Sequence, residues 1–167
     1  MARQILKVAI FAIAFGFVEA AVVAYLHHLV GLTQRDVKPE EILFLAPGVA
    51  FLEPQTAVRI IRDTALFNVE RIREGATLIM LAAVAALSGR KLGDRIAFFF
   101  LVFGIWDIFY YIFLRLIIGW PMTLFDLDIF FLLPTPWVGP VLVPIVISSI
   151  LVLGSLFYLL VKERSKQ

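Results

Sequence analysis

The chain contains no cysteine, only two histidines, and a low share of charged residues, 17%. The lack of cysteine excludes disulfides, thiolate catalysis and cysteine-ligated zinc or iron–sulfur sites. The two histidines, His27 and His28, are adjacent and would diverge by about 100° on a helix, so they cannot easily bind one ion together. The sequence also has no His-x-x-x-His or Glu-x-x-His metal motif. Glycine-rich phosphate loops, Walker patterns and serine nucleophile elbows are also missing. The common sequence signatures of catalysis are therefore excluded.

Apolar residues are what the chain has in excess: 62% are hydrophobic, and the mean hydropathy is +0.97. Soluble domains are about half apolar, and a chain of 167 residues cannot hide this much apolar surface from water. The net charge is only +2, and the basic residues lie at the ends of apolar runs. We therefore expect an integral membrane protein whose partner is the lipid bilayer, with no nucleic-acid partner.

Four apolar runs are long enough to cross a hydrocarbon core of about 30 Å, which needs about 20 residues. They are Ile5–Val30, Leu66–Ser88, Ile96–Trp120 and Val138–Val161. Two shorter runs, Ile42–Leu52 and Leu124–Leu133, have a proline within them or just after their end, and we expect re-entrant or interfacial segments there. The sequence thus predicts an all-α polytopic transmembrane helical bundle, forming a single domain over residues 1–167. The alternative has five or six spans, with Ile42–Ile61 or Leu124–Pro136 crossing fully.

Lysine and arginine predict the orientation of the bundle. Basic residues precede the first span, separate the second from the third, and end the chain: Arg3, Lys7, Arg90, Lys91, Arg95, Lys162, Arg164 and Lys166. The loop between Gly119 and Leu127 has none. By the positive-inside rule both termini are cytoplasmic, in a prokaryotic inner membrane.

The two halves of the sequence resemble each other at an offset of 88 residues. At this offset Glu19 falls on Asp107 and Gly16 on Gly104, and basic residues precede both copies. With one gap, Glu41–Pro47 also matches Asp128–Pro134. Because the cationic flank precedes the first helix of each copy, we predict a parallel internal duplication, with units of approximately 3–88 and 91–161.

Glu19 and Asp107 are the first candidate site residues. Each lies twelve residues beyond its cationic flank, about 18 Å along a helix and therefore near the membrane midplane. A carboxylate at that depth indicates a proton or cation site, or else a neutral or arginine-paired group that only holds helices together. Arg71 or Arg73 can reach these acids only if the amphipathic stretch Gln55–Glu74 dips inward.

The other candidate acids lie near one leaflet of the membrane. Glu70 and Glu74 are one helical turn apart, a spacing that suits a shared metal ion or proton, or ordinary surface salt bridges. Asp126 and Asp128, together with Glu40, Glu41 and Glu53 of the first unit, would form an acidic vestibule that concentrates cations. Alternatively, Asp126 or Asp128 opens a short helix. Trp106 and Tyr111 lie on either side of Asp107 in the sequence, where they line its pocket or belong to an aromatic belt.

Three functions fit these residues. The first is a carboxylate site within the membrane that binds or translocates a small cation or a proton-coupled solute. The second is a membrane-embedded enzyme that uses a metal or carboxylates on a lipid or isoprenoid substrate. The third is a non-catalytic subunit or scaffold. A cation is the only cofactor that the sequence suggests, and four helices leave so little interior that we expect a homo-oligomer, a dimer.

Overall fold

The computed structural model describes residues 1–30, 41–53, 55–56 and 64–164. In chain order its elements are α1 (Ala2–Val30), β1 (Ile42–Ala46), β2 (Val49–Leu52), α2 (Thr64–Ser88), α3 (Leu92–Ile118), β3 (Leu127–Phe131), β4 (Trp137–Pro140) and α4 (Leu142–Arg164). The structure is mostly helical. Part of the predicted amphipathic stretch Gln55–Glu74 lies outside the described residues.

The two short apolar runs contain β-strands, so the all-α prediction was wrong at these residues. The run Ile42–Leu52 folds into β1 and β2, and the run Leu124–Leu133 contains β3. These three strands and β4 form one sheet in the order β1-β2-β4-β3, and all neighbouring strands are antiparallel. In a hairpin the backbone N–H and C=O groups of the two strands hydrogen-bond to each other. A short unpaired segment at a membrane leaves these groups without partners. Strands of five and four residues are also too short to cross a bilayer.

The side-chain contacts define the directions of the helices. Along α1 and α3 the contacts advance together, from Gly16 beside Trp106 to Phe17 against Phe113 and then His27 against Trp120 just after α3, so these two helices run in the same direction. The helix α4 runs the opposite way, because Ser148 lies at the level of Asp107. At the far end of α4, Lys162 forms an ion pair with Asp94.

The basic flanks that fall within the described residues lie at one end of the bundle. The ammonium group of Met1 is 3.1 Å from the carboxylate of Glu163, which brings the two chain ends together. The turn between α2 and α3 lies at this end as well, next to Asp94. The sheet lies at the opposite end. Because α1 and α3 are parallel and only a few residues join α2 to α3, α2 runs antiparallel between the two ends.

In the part of the chain that the structure describes, three helices are long and apolar enough to cross a membrane: Ala2–His28, Leu92–Ile118 and Leu142–Glu163. The second predicted span lies in α2 and is not among them, since charged residues from Glu70 to Glu74 interrupt its first half. The distribution of apolar and charged side chains between the surface and the interior is nevertheless that of a membrane protein. Leu153 and Phe157 are 68% and 72% exposed, whereas Glu19 and Asp107 are 6% and 7% exposed. An apolar exterior around buried carboxyl groups is the distribution expected in lipid.

The element order of the first half, a helix, two strands and a helix, recurs in the second half. The central strands β2 and β4, one from each half, pair with each other. The predicted duplication itself and its unit boundaries stay predictions.

Candidate functional site

A polar cavity of about 110 Å³ lies between α1, α2, α3 and strand β3. Seven of the eight residues that the sequence analysis singled out line it: Glu19, Glu70, Glu74, Trp106, Asp107, Tyr111 and Asp128. Residues distant in sequence thus come together at one place. Helices α1, α2 and α3 position Glu19, Glu70, Glu74 and Asp107 on their inward faces, and strand β3 positions Asp128.

Arg73 lies between two of the carboxylates. Its guanidinium forms an ion pair with Glu19 through Nη1, and its Nε donates to Glu70 Oε2 at 2.9 Å. The other oxygen of Glu19 accepts a hydrogen bond of 2.8 Å from the hydroxyl of Thr77. The charged part of α2 therefore does turn inward and reach Glu19, as the sequence analysis required for such a pair. Glu19, Arg73 and Thr77 together fix α1 against α2.

Asp107 receives its hydrogen bond from the neighbouring helix α4. The hydroxyl of Ser148 donates to Asp107 Oδ2 at 2.8 Å, and both residues are buried. The helices approach closely here because Gly104 has no side chain. A Cβ at Gly104 would lie 2.7 Å from the carbonyl oxygen of Ser148. Small residues at such crossings are the common means of close helix packing in membranes.

Asp128 connects the sheet to α3. The phenol of Tyr111 donates to Asp128 Oδ2 at 2.9 Å, and the backbone N–H of Ile129 donates to Oδ1 at 2.8 Å. Asp128 lies within β3 instead of opening a short helix, so the capping role considered for it was wrong. Tyr111 lies one turn after Asp107 on α3 and brings this second acid to the same cavity.

Glu74 closes the cavity at the end of β3. Its Oε2 accepts a hydrogen bond of 2.8 Å from the backbone N–H of Leu132. Glu70, one turn earlier, is bound to Arg73 instead. Among the described residues no group of three or more histidine, aspartate or glutamate side chains could hold a metal ion. A metal ion shared by the two carboxylates of Glu70 and Glu74 stays a prediction.

Aromatic rings form much of the remaining wall. Trp106 and Tyr110 stack with their ring centroids 6.3 Å apart, and Tyr110 meets Tyr111 edge to face at 4.9 Å. Trp106 and Tyr111 thus line the cavity, the first of the two positions considered for them. Within the described part of the chain the indole N–H of Trp106 is buried without a hydrogen-bond partner. Aromatic faces attract cations, which makes this wall compatible with a positively charged ligand.

Asp126 is the predicted site residue that the structure places outside the cavity. It closes the turn after α3, where its carboxylate accepts hydrogen bonds from the backbone N–H groups of Met122 and Thr123 and from the Thr123 hydroxyl. The hydrogen bond from the Thr123 hydroxyl is the main reason that the pKa of Asp126 lies below its ordinary value. Asp126 therefore holds a turn together and lies apart from Asp128, which lines the cavity. The predicted acidic vestibule includes Glu40, which lies outside the described residues, and it stays a prediction.

The hydroxyl donors Thr77 and Ser148 were missed as partners of the acids. Ser148 and Ser149 interrupt an apolar run, and that interruption is the signal that could have identified one of them. Thr77 lies one turn beyond Arg73, on the face of α2 that carries Glu70 and Glu74. The packing of the helices determines which hydroxyl donates a hydrogen bond to which acid, so these pairs cannot be predicted from the local sequence.

Compared with protein-family models, with curated proteins and with solved structures, the chain matches none of them. We therefore infer the function from the residues of the site alone.

Proposed function

We propose that this protein binds a small cation, in exchange with protons, in a cavity within the membrane and carries the cation or a proton-coupled solute across. The proposal includes four spans, with α2 as the fourth, and both termini in the cytoplasm of a prokaryotic inner membrane.

The charge of the cavity carries the proposal. Among the residues that the structure describes, five carboxyl groups and one guanidinium line it, a formal excess of four negative charges. Ionised carboxylates are too costly to keep at such density in a low-dielectric interior without counter-charges or protons. A bound cation or bound protons would supply that compensation, and exchange between the two is the chemistry of a coupled carrier.

The hydrogen-bond donors around the acids also support reversible binding. Apart from the Arg73 pair, the named partners are neutral: a serine hydroxyl for Asp107, a tyrosine hydroxyl and a backbone N–H for Asp128, and a backbone N–H for Glu74. Neutral donors orient a carboxylate without cancelling its charge. The remaining oxygen lone pairs can then bind a cation or a proton.

Flux into proteoliposomes tests the proposal. Purified protein is reconstituted with a pH-sensitive dye inside, and a gradient of Na⁺, K⁺ or tetramethylammonium is imposed. We expect the wild type to dissipate at least one gradient and Glu19→Gln or Asp107→Asn to abolish that flux, since each removes an ionisable group from the cavity.

Asp126→Asn is the matched control, because it removes an acid of the same kind outside the cavity. It should retain the flux, and circular dichroism and size exclusion should show that all variants fold. Unchanged flux in both Glu19→Gln and Asp107→Asn would contradict the proposal.

A membrane-embedded enzyme acting on a lipid or isoprenoid is the second candidate. One observation favours it: Tyr111 lines both the polar cavity and an apolar groove on the outside of the bundle. A lipid in that groove would lie one side chain away from Asp107 and Asp128. Metal analysis of the purified protein, with and without chelator, and product analysis after incubation with lipid would distinguish this candidate from the carrier.

A further inference from the structure

An apolar groove of about 430 Å³ lies on the outside of the bundle, at the end that carries the sheet. It runs between the last turns of α3, the turn that follows them and the start of α4. Its apolar wall includes Ile112, Leu116, Met122, Leu124, Val141 and Ile145. Leu116 and Met122 are 73% and 76% exposed, so the groove is continuous with the lipid-facing surface.

Among the described residues, Arg115 is the one basic residue that lines this groove. Its Nη1 donates to the carbonyl oxygens of Gly119 and Pro121, which anchors the guanidinium at the end of α3. These contacts use Nη1 alone, so within the described part of the chain Nε and Nη2 of Arg115 have no hydrogen-bond partner. Asp126 is near enough to act on Arg115 electrostatically, but its carboxylate oxygens accept hydrogen bonds from Met122 and Thr123.

The position of Arg115 suits a lipid headgroup. It lies in the last turn of α3, which ends at Gly119 in a left-handed conformation with φ of 72°. A long basic side chain at the end of a spanning helix extends to the membrane interface, where phosphate groups lie. The apolar wall includes Leu116, which is next to Arg115, and runs towards the membrane interior along Ile112 and Ile108, one and two turns earlier on α3.

We propose that this groove binds one anionic membrane phospholipid, with its phosphate on Arg115 and an acyl chain along the apolar wall. The charge and the shape of the groove select this occupant together. A free anion would leave the apolar wall uncovered, and a lipid without an anionic group would make no charge-assisted hydrogen bond with Nε and Nη2 of Arg115. This groove shares the side chain of Tyr111 with the cation cavity, but lipid binding on Arg115 does not depend on the proposed transport function.

Native mass spectrometry of detergent-purified protein tests the proposal. The protein is titrated with phosphatidylglycerol and with phosphatidylcholine of identical acyl chains. We expect phosphatidylglycerol to bind about fivefold more tightly, the contribution typical of one arginine near an anionic lipid surface. Arg115→Gln should remove this preference. Arg90→Gln is the matched control, because Arg90 is exposed at the opposite end of the bundle, and it should retain the preference.

A second pair of variants tests the acyl-chain contact. Met122→Ala should weaken binding of both lipids, whereas Phe125→Ala should not, since Phe125 is exposed in the same turn but lies outside the groove. Arg115→Lys keeps the charge and should keep most of the preference. Equal binding of both lipids to the wild type would overturn the proposal, as would loss of the preference in Arg115→Lys or in Arg90→Gln.

Discussion

Arg73 is the residue on which the charges of the site depend. It contacts two buried carboxylates on two different helices, Glu19 of α1 and Glu70 of α2. Removing one partner of a buried ion pair is more damaging than the net strength of the pair suggests, because it leaves an uncompensated charge in a poor solvent. The loss of Arg73 leaves two such charges, whereas the loss of Glu19 leaves Arg73 with Glu70 as its partner.

We therefore expect Arg73→Gln to lower the free energy of unfolding by about 3–5 kcal/mol. Glu19→Gln should cost less. Arg71→Gln is the control, since Arg71 lies two residues away and stacks over Phe67, with no ion pair among the described residues. Unfolding in mixed detergent micelles measures these differences. A smaller loss for Arg73→Gln than for Arg71→Gln would contradict this account of the ion pairs.

Asp126 provides a test at acidic pH. Its pKa in the folded protein lies below the ordinary value of 3.8, mainly because of the hydrogen bond from the Thr123 hydroxyl. The stabilisation it gives to the turn is therefore fully present above the ordinary value, and it is lost as the pH falls through the lower folded value. Thr123→Val should raise the pKa of Asp126 towards 3.8, as measured by NMR titration of the side-chain carboxyl carbon. An unchanged pKa in Thr123→Val would show that the turn does not depend on this hydroxyl.

At the residue scale the sequence predicted the charged groups well and their partners poorly. An acid in an apolar run must face a polar interior, so Glu19 and Asp107 could be placed near a site from their position alone. The pairing of Glu19 with Arg73 depended on where α2 lies, and it could be stated only as a condition. The roles of Thr77 and Ser148 followed from the packing of helices that the sequence does not specify.

At the scale of elements, the hairpins were the main error. The run Ile42–Leu52 contains Pro47 and Gly48, and a short apolar run with such a turn is the usual signal of two strands. Gly48 has a φ of 80°, the conformation that a tight reversal between strands requires. Assuming that only helices occur in a membrane bundle led to the wrong prediction, because that constraint applies to backbone exposed to lipid and not to a sheet with paired strands.

Gly139 joins the two hairpins. It pairs with Asp128 across the β3–β4 ladder, and a Cβ at this position would collide with the carbonyl oxygen of Gly48 and lie 3.0 Å from the Phe130 ring. We expect Gly139→Ala to lower the free energy of unfolding by about 1–3 kcal/mol, because a backbone atom cannot move aside as a flexible side chain can. Thermal unfolding in detergent measures the change.

Gly154→Ala is the control for this substitution. A Cβ at Gly154 meets nothing within 4 Å, and alanine is the better helix former. This variant should unfold at the same temperature as the wild type or at a slightly higher one. Equal stability of Gly139→Ala and the wild type would show that the two hairpins are not in close contact there.

At the scale of the whole molecule, the bundle has a basic end and a sheet end. Arg90 lies at the first, in the turn between α2 and α3, and Phe125 lies at the second. The predicted dimer would add a second copy along an apolar face, and it stays a prediction.

Cysteine labelling tests the orientation. The natural chain has no cysteine, so single substitutions need no further background changes. If the termini are cytoplasmic, Phe125→Cys should react with an impermeant maleimide in intact spheroplasts, and Arg90→Cys should react only after the membrane is opened. Reaction of Arg90→Cys from outside would reverse the orientation, and the same pattern for both sites would contradict the four-span arrangement.

Proton release on cation binding tests the central claim most directly, namely that the acid-rich cavity exchanges protons for a cation. Purified protein in weakly buffered detergent solution is titrated with NaCl, KCl or tetramethylammonium chloride while the pH is recorded. The wild type should release protons with at least one of these cations. The double variant Glu74→Gln/Asp107→Asn should lose most of that release, and Asp126→Asn should keep it. Equal release from the wild type and the double variant, or no release from the wild type with any of the three, would contradict the claim.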